Sequence, residues 1–460
     1  MRVIVIHGAR ATTRQTTIDH LLSFRQHLPE DDVQYLHFQQ PIPRDLEDVR
    51  SDLLVINYDY LNYRFSPLWP YIKNRHINLA RNAGKVVAVA QDDFWANVLL
   101  DNWCMDWGVD RILTPIEHGL EILYPRSSKA KEFRTALTGY VPTGAVPRTP
   151  PLRERPINLG QRVRAMSPHL GRLALLKSEQ ALAFSESAER SGFVVDVSAR
   201  VEDSFIGNDW FEFLASCQFT VGTKGGASLY DRYGLTYLKV QSYLQRYPNA
   251  SFDEVEKHCF LGRDMKHVFT AVSPRLFEAA RARTCQILTR DDYLGVLEPW
   301  QHYIPLETDM RNLDEVFQAM RDVERCQEIV DHCHRALIDS GDFDYSKFVA
   351  LATEGVSTTD KGPDENWEQF CDHLRSSCQI FEEFGPEFHD AVVAYLTQHS
   401  LNRSKFRRGT AFGRRTSNLA IARIEELIHL RLDHEWIMRH LDLYRSDKVV
   451  ARSPWVWRPV

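Results

Sequence analysis

Val3 to Ile6, Val33 to Phe38, Leu53 to Asn57 and Val86 to Ala90 are short, near-continuous apolar runs separated by amphipathic stretches. Strands buried on both faces of a parallel sheet have this composition, and their alternation with helical stretches predicts successive βα units. Ile112 to Thr114 completes a set consistent with a doubly wound sheet. On such sheets ligands bind beyond the carboxyl ends of the strands. Those ends carry His7, Asn57-Tyr58-Asp59-Tyr60, Gln91-Asp92-Asp93 and Thr114, which makes His7, Asp59, Gln91 and Asp92 candidate ligand contacts. Any one of them also reads as a turn residue or a helix cap. Phe94, Trp95 and Trp103 offer either a stacking face or core packing.

Residues 141 to 156 hold five prolines and little periodicity, the mark of a stiff linker. They separate a first unit, 1–145, from a second, 157–325, with 146–156 as the linker proper. In the second unit Arg162 to Arg172 reads as a polar loop, Lys177 to Arg190 as an amphipathic helix and Phe193 to Val197 as a strand. Trp210 to Ala215 reads as a helix, and Gln218 to Gly222 as a strand running into Gly225-Gly226. Residues 236 to 260 read as a helical insertion turning at Tyr247-Pro248-Asn249-Ala250. The remainder, 326–460, reads as helical.

A length of 460 residues, with 26% charged and 43% hydrophobic, allows more than one core. A net charge of −6 argues against a general nucleic-acid binder, whose domains are basic. The apolar run at Val3 to Ile6 is too short for a signal-peptide core or a membrane span, which predicts a cytoplasmic protein. Eight cysteines without paired spacing fit reduced thiols. His332-Cys333-His334 and Cys371-x-His373 lack the partner spacing of a tetrahedral centre, and no metal site is expected.

Ser273-Pro274-Arg275-Leu276-Phe277-Glu278-Ala279 is followed by Thr284-Cys285-Gln286-Ile287-Leu288. Then comes a Tyr-x-Gly-x-Leu-x-Pro-x-x-His-Tyr-Ile segment from Tyr293 to Ile304, ahead of Asp309. This run resembles the C-terminal half of bacterial GT-B glycosyltransferases of the "glycosyltransferase family one" type. The likeness continues upstream through Arg162, Arg164, Gly171, Lys177, Trp210 and Gly225 to Asp231, and spans about residues 85 to 350. It implies an α/β GT-B fold, two Rossmann-like doubly wound domains facing a cleft, followed by a C-terminal helical region. It also implies a nucleotide-sugar co-substrate and no other cofactor.

The resemblance makes Glu278 the ligand of the donor ribose; the plainer reading is a first-turn glutamate favoured by the helix dipole. Ser273 and Arg275 sit on the loop feeding the same helix, where a guanidinium can grip phosphate. Arg162, Arg164 and Lys177 form a second cationic set suited to a diphosphate, or else a solvated face. Gly225, Gly226 and Ser228 can bring backbone amides close to a phosphate or sugar. Asp231 is the first candidate for a catalytic carboxylate, against the reading of a turn cap, and Glu202 the second. His302 and Tyr303 are placed near the donor by resemblance, while His7, Asp59, Gln91 and Asp92 fall on the acceptor side. The sequence departs from the family at Thr270, where many retaining members have a second glutamate, and this leaves the anomeric outcome open.

The expectation is a metal-independent glycosyltransferase that moves a sugar from a nucleotide donor to a carbohydrate or other hydroxyl acceptor in cell-surface glycan synthesis. An epimerase on the same fold and a non-catalytic sugar-binding scaffold are the alternatives. Arg403, Lys405, Arg407, Arg408, Arg414 and Arg415, interleaved with Phe406 and Phe412, predict peripheral contact with the inner face of the membrane through 403–415; a solvated loop has the same composition.

Overall fold

A computed structural model describes residues 1–375 apart from 10–13, 30–31, 41, 67–68, 143, 145–147, 201, 206–207 and 359–363. The basic segment 403–415 therefore lies outside the described residues. Six parallel strands form the first sheet: β1 (Arg2–His7), β2 (Asp32–His37), β3 (Ser51–Ile56), β4 (Ala83–Val89), β5 (Arg111–Thr114) and β6 (Glu132–Thr135). Their order is β2-β1-β3-β4-β5-β6, with Val3 opposite Leu53 and Val5 opposite Val55. The apolar runs are buried as their composition requires: every residue of β3 is buried.

The second unit contributes β7 (Ile157–Arg162), β8 (Val195–Ser198), β9 (Cys217–Gly222), β10 (Gly225–Ala227), β11 (Phe269–Ala271), β12 (Cys285–Thr289) and β13 (Ile304–Leu306). Five of these make a parallel sheet in the order β13-β12-β9-β7-β8. Strands β10 and β11 pair antiparallel outside it. The helical insertion is present as Leu235–Arg246 and Phe252–Cys259, the latter opened by a capping box between Ser251 and Glu254.

The proline-rich connection is pinned rather than loose. Arg155, 4% exposed, donates to the carbonyls of Pro150 (2.9 Å), Cys217 (2.9 Å) and Ala282 (3.1 Å), binding the connection to the second sheet. After β13 the helices Leu313–Arg321 and Val323–His334 bury Val316, Phe317, Ile329 and Val330 against the second sheet. The chain then crosses back. Helix Tyr345–Thr353 places Tyr345, Phe348 and Val349 in the core of the first sheet, beside Val3, Val5 and Phe24. Trp367 and Phe370 cover the opposite face. Among the described residues no helix is long and apolar enough to cross a membrane.

Candidate active site

Residues of the first unit meet residues of the second. Thr138, beyond β6, donates to the Val272 carbonyl at 2.6 Å. Asp231 donates its amide to the Phe94 carbonyl at 2.8 Å, and its own carbonyl accepts from Ala96 N at 2.6 Å. Thr16 at the start of helix Gln15–His27 donates to Glu278 Oε1 at 3.2 Å. Thr135 and Leu137, at the end of β6, line one cavity with Lys224 and Asp292, beyond β9 and β12, so the carboxyl ends of both sheets border one cleft, where such sheets bind ligands.

On the second-sheet side the pocket is lined by Gln161, Lys177, Trp210, Ser273 and Arg275 with the β9 exit at Gly222 and Thr223. Trp210, on helix Asn208–Ser216, organises it. Its Nε1 donates to Glu278 Oε2 at 2.7 Å, and the Arg275 guanidinium lies 4.3 Å from the centre of its ring. Arg275 donates to Gln161 Oε1 at 2.8 Å, which fixes the other end of its fork. The sequence reading placed Glu278 and Arg275 here but gave Trp210 no role; a tryptophan in a helix facing the Ser273-Pro274-Arg275 loop was the available signal.

The cleft is cationic. Desolvation lowers the Lys177 ammonium to about 8, with Arg275 and Arg14 lowering it further. Desolvation also lowers Arg275 to about 10, helped by Arg14 and opposed by Glu278. Arg14 in turn is lowered by desolvation and by Arg164, and raised by Glu278 and Asp92. Four cations therefore feel one another across the cleft, with two carboxylates among them, in a chain whose net charge is −6. Arg14 and Arg164 are solvent-exposed, whereas Lys177 and Arg275 are half-buried. Arg14 was missed by the sequence reading, although the loop after β1 is a strand end of the kind that reading singled out.

On the first-sheet side His7 Nδ1 accepts from Ala9 N at 3.2 Å, and burial lowers the ring to about 4, so it is neutral. Asp59 Oδ1 accepts from Tyr60 N at 2.8 Å; burial outweighs this bond and the Gly8 amide and raises the carboxyl to about 7. Arg64, 3% exposed, shapes the next loop by donating to the carbonyls of Gln91 (3.0 Å), Asp92 (2.8 Å) and Trp95 (3.1 Å). Gln91 donates through Nε2 to the Thr138 carbonyl at 3.2 Å. Asp92, held at a left-handed φ of 54°, lies within electrostatic reach of Arg14, and desolvation raises its carboxyl. Asp93 is buried with Tyr124 and Thr114 as donors and belongs to the core.

The remaining candidates make other contacts. Asp231 Oδ2 accepts from Tyr237 N at 2.8 Å, in the first turn of helix Leu235–Arg246. Glu202 is exposed on the loop after the edge strand β8 and pairs with Arg200 at 3.0 Å. Arg162 turns away from the cleft, donating to the carbonyls of Asp203 (3.0 Å) and Asp196 (2.9 Å) and lying over Phe213 at 4.3 Å. Gly225 and Gly226 belong to a β-ribbon, where Gly226 has φ 146° and a Cβ there would overlap the Phe269 carbonyl. Ser228 accepts from Leu173 N at 3.0 Å and donates to Asp264 at 2.7 Å, so together they close the N-terminus of helix Arg172–Arg190. His302 and Tyr303 precede β13 and so lie at its amino end, with Tyr303 fully buried against Tyr293 at 5.5 Å.

Two doubly wound parallel sheets thus face each other across a cleft and are joined by a chain that returns to the first. No protein-family model and no curated protein matches the sequence. Solved structures it resembles include Anabaena Alr3699/HepE in complex with UDP and glucose, at 10% identity over 77% of this chain and 99% of that one, with a TM-score of 0.44. An alpha-glucosyltransferase in complex with UDP and a DNA 13-mer is similar at 11% identity over 77% and 100%, TM-score 0.42. TarM follows at 10% over 70% and 54%, TM-score 0.37.

Proposed function

We propose that the protein is a glycosyltransferase that moves a sugar from a nucleoside-diphosphate donor to a hydroxyl acceptor, as in cell-surface glycan synthesis. The observation that carries this reading is the Trp210, Arg275 and Glu278 set within a cleft that gathers four cations. Glu278 is assigned to the ribose hydroxyls, which would replace the long bond from Thr16. Arg275, Lys177, Arg164 and Arg14 are assigned to the diphosphate. As the acceptor oxygen bonds to the anomeric carbon, the bond from that carbon to the phosphate oxygen breaks and charge accumulates on the leaving diphosphate. Fixed cations in a partly desolvated cleft stabilise that charge without reorganising.

The acceptor proton needs a base on the opposite wall. Asp59 and Asp92 take this role from Asp231 and Glu202; a carboxyl near 7, as at Asp59, suits a proton acceptor working at neutral pH. Calorimetric titration with uridine and other nucleoside diphosphates, alongside Glu278→Ala, tests the donor site. Tight binding to one base that Glu278→Ala weakens at least tenfold supports the reading, and absence of binding to all of them refutes it. Product analysis with and without added acceptors then separates transfer from epimerisation, which needs no acceptor.

A further inference from the structure

Twelve large apolar side chains stand exposed among the described residues, and seven of them fall between residues 233 and 268. The most open of the seven are Leu261 at 72%, Leu235 at 63%, Met265 at 57% and Tyr247 at 53%. This concentration is not a by-product of a poorly packed insertion. Helices Leu235–Arg246 and Phe252–Cys259 enclose a small core of Val240, Val255, Cys259 and Phe260, and the exposed residues lie outside it.

The exposed residues share a surface. Arg263 donates to Thr236 Oγ1 at 3.1 Å and to the Tyr230 carbonyl at 3.2 Å, which holds the loop carrying Leu261, Met265 and Val268 against the start of the helix carrying Leu235 and Leu238. Met265 N donates to the Ser228 carbonyl at 2.9 Å and fixes the far end of that loop. An apolar patch rimmed by polar groups marks a docking site.

The charge around the patch selects the occupant. Arg232, Arg246, Lys257, Arg263 and Lys266 are all exposed. Of the acids nearby, Asp253 pairs with Arg172, Asp264 accepts from Ser228 and the Arg172 amide, and Glu254 closes the capping box with Ser251; with Glu256 these four acids stand against six lysines and arginines between 232 and 268. In a chain of net charge −6 this corner presents apolar side chains between cations. Interleaved apolar and basic side chains of this kind sink into a bilayer interface while the cations meet anionic headgroups.

We propose that the 233–268 insertion docks the protein on an anionic lipid surface. The base of the insertion is tied to the first sheet where Asp231 meets Phe94 and Ala96, so docking there sets the cleft beside the membrane, where an acceptor carried on lipid would be presented. The inference does not depend on which nucleotide the cleft binds.

The test is flotation of the full chain with phosphatidylcholine vesicles, with and without phosphatidylglycerol. It is repeated for the triple variant Leu235→Ser, Leu261→Ser, Met265→Ser and for the charge variant Arg232→Glu, Lys266→Glu. Flotation only with the anionic vesicles, weakened at least tenfold by each variant and by raised salt, is the expected result. Absence of flotation, or flotation that both variants retain, overturns the proposal. So does a wild-type dimer in light scattering that the triple variant converts to monomer, which would make the patch a self-interface. Melting temperature and nucleotide binding, expected to be unchanged in both variants, confirm folding and keep failure here separate from failure of the donor assignment.

Discussion

The indole of Trp210 donates to Glu278 at 2.7 Å while its face supports the Arg275 guanidinium at 4.3 Å, so one side chain orients both the acid and the base of the pocket. Trp210→Phe keeps the stacking surface and removes the donor. A lost hydrogen bond to a charged group corresponds to roughly a tenfold fall in nucleotide affinity, with Trp210→Leu worse because Arg275 also loses its platform. Titration calorimetry of the two variants against wild type checks this ordering.

Lys177 is lowered to about 8, so the free protein begins to lose its charge there as pH rises. A bound diphosphate favours the ammonium and raises that value. Affinity is therefore constant below about pH 8 and falls above it, until the bound-state value is passed. Binding measured from pH 7 to 10 should show this decline in wild type and a much flatter profile in Lys177→Arg, since a guanidinium stays charged throughout.

Asp59 is raised from 3.8 to about 7, which means that the fold favours its neutral form. The stability this contributes is complete below pH 3.8 and is lost as pH rises through about 7. Asp59→Asn removes the ionisation, and its melting temperature should gain on wild type progressively between those values and stay higher above them. Turnover of the same variant should fall if Asp59 takes the acceptor proton.

Asp231→Ala removes a helix cap at a junction between the two units. The expected loss is about 1 kcal/mol of stability, with kcat within a few-fold of wild type. Asp92→Asn should do the reverse, leaving the melting temperature nearly unchanged and lowering kcat. Paired melts and initial rates separate the two carboxylates.

Gly226→Ala places a methyl group on the Phe269 carbonyl at a backbone φ of 146°, a region closed to other residues. A destabilisation above about 2 kcal/mol is expected from strain of this kind. Denaturant unfolding measures it. A well-tolerated substitution would mean that the β-ribbon opens readily.

Much of this fold was legible because buried parallel strands leave little room for anything but apolar residues. Leu53 to Ile56 could be read directly. Strand β6 was not, because Glu132-Phe133-Arg134-Thr135 lies at a sheet edge, half-exposed and polar. Strand β7 was hidden by Gly160, whose missing Cβ makes room for the Cys217 sulfur, and by Gln161, whose amide serves Val221 and Arg275. The pocket was half legible. Glu278 and Arg275 stand in a motif, whereas Trp210 and Arg14 reach the same place from distant parts of the chain, and only the fold brings them together. Gly225-Gly226 is ambiguous in sequence because a phosphate loop and a tight backbone crossing ask for the same residue.

The two chain crossings between the sheets run side by side. Val141 N donates to the Phe343 carbonyl at 2.8 Å, and Tyr345 N donates to the Val141 carbonyl at 3.1 Å, which laces the outgoing strand of the connection to the returning one. The two bodies are therefore stitched together twice, at this seam and where Asp231 meets Phe94 and Ala96, and a pair of stitches set apart resists both sliding and swinging in a way that neither would alone.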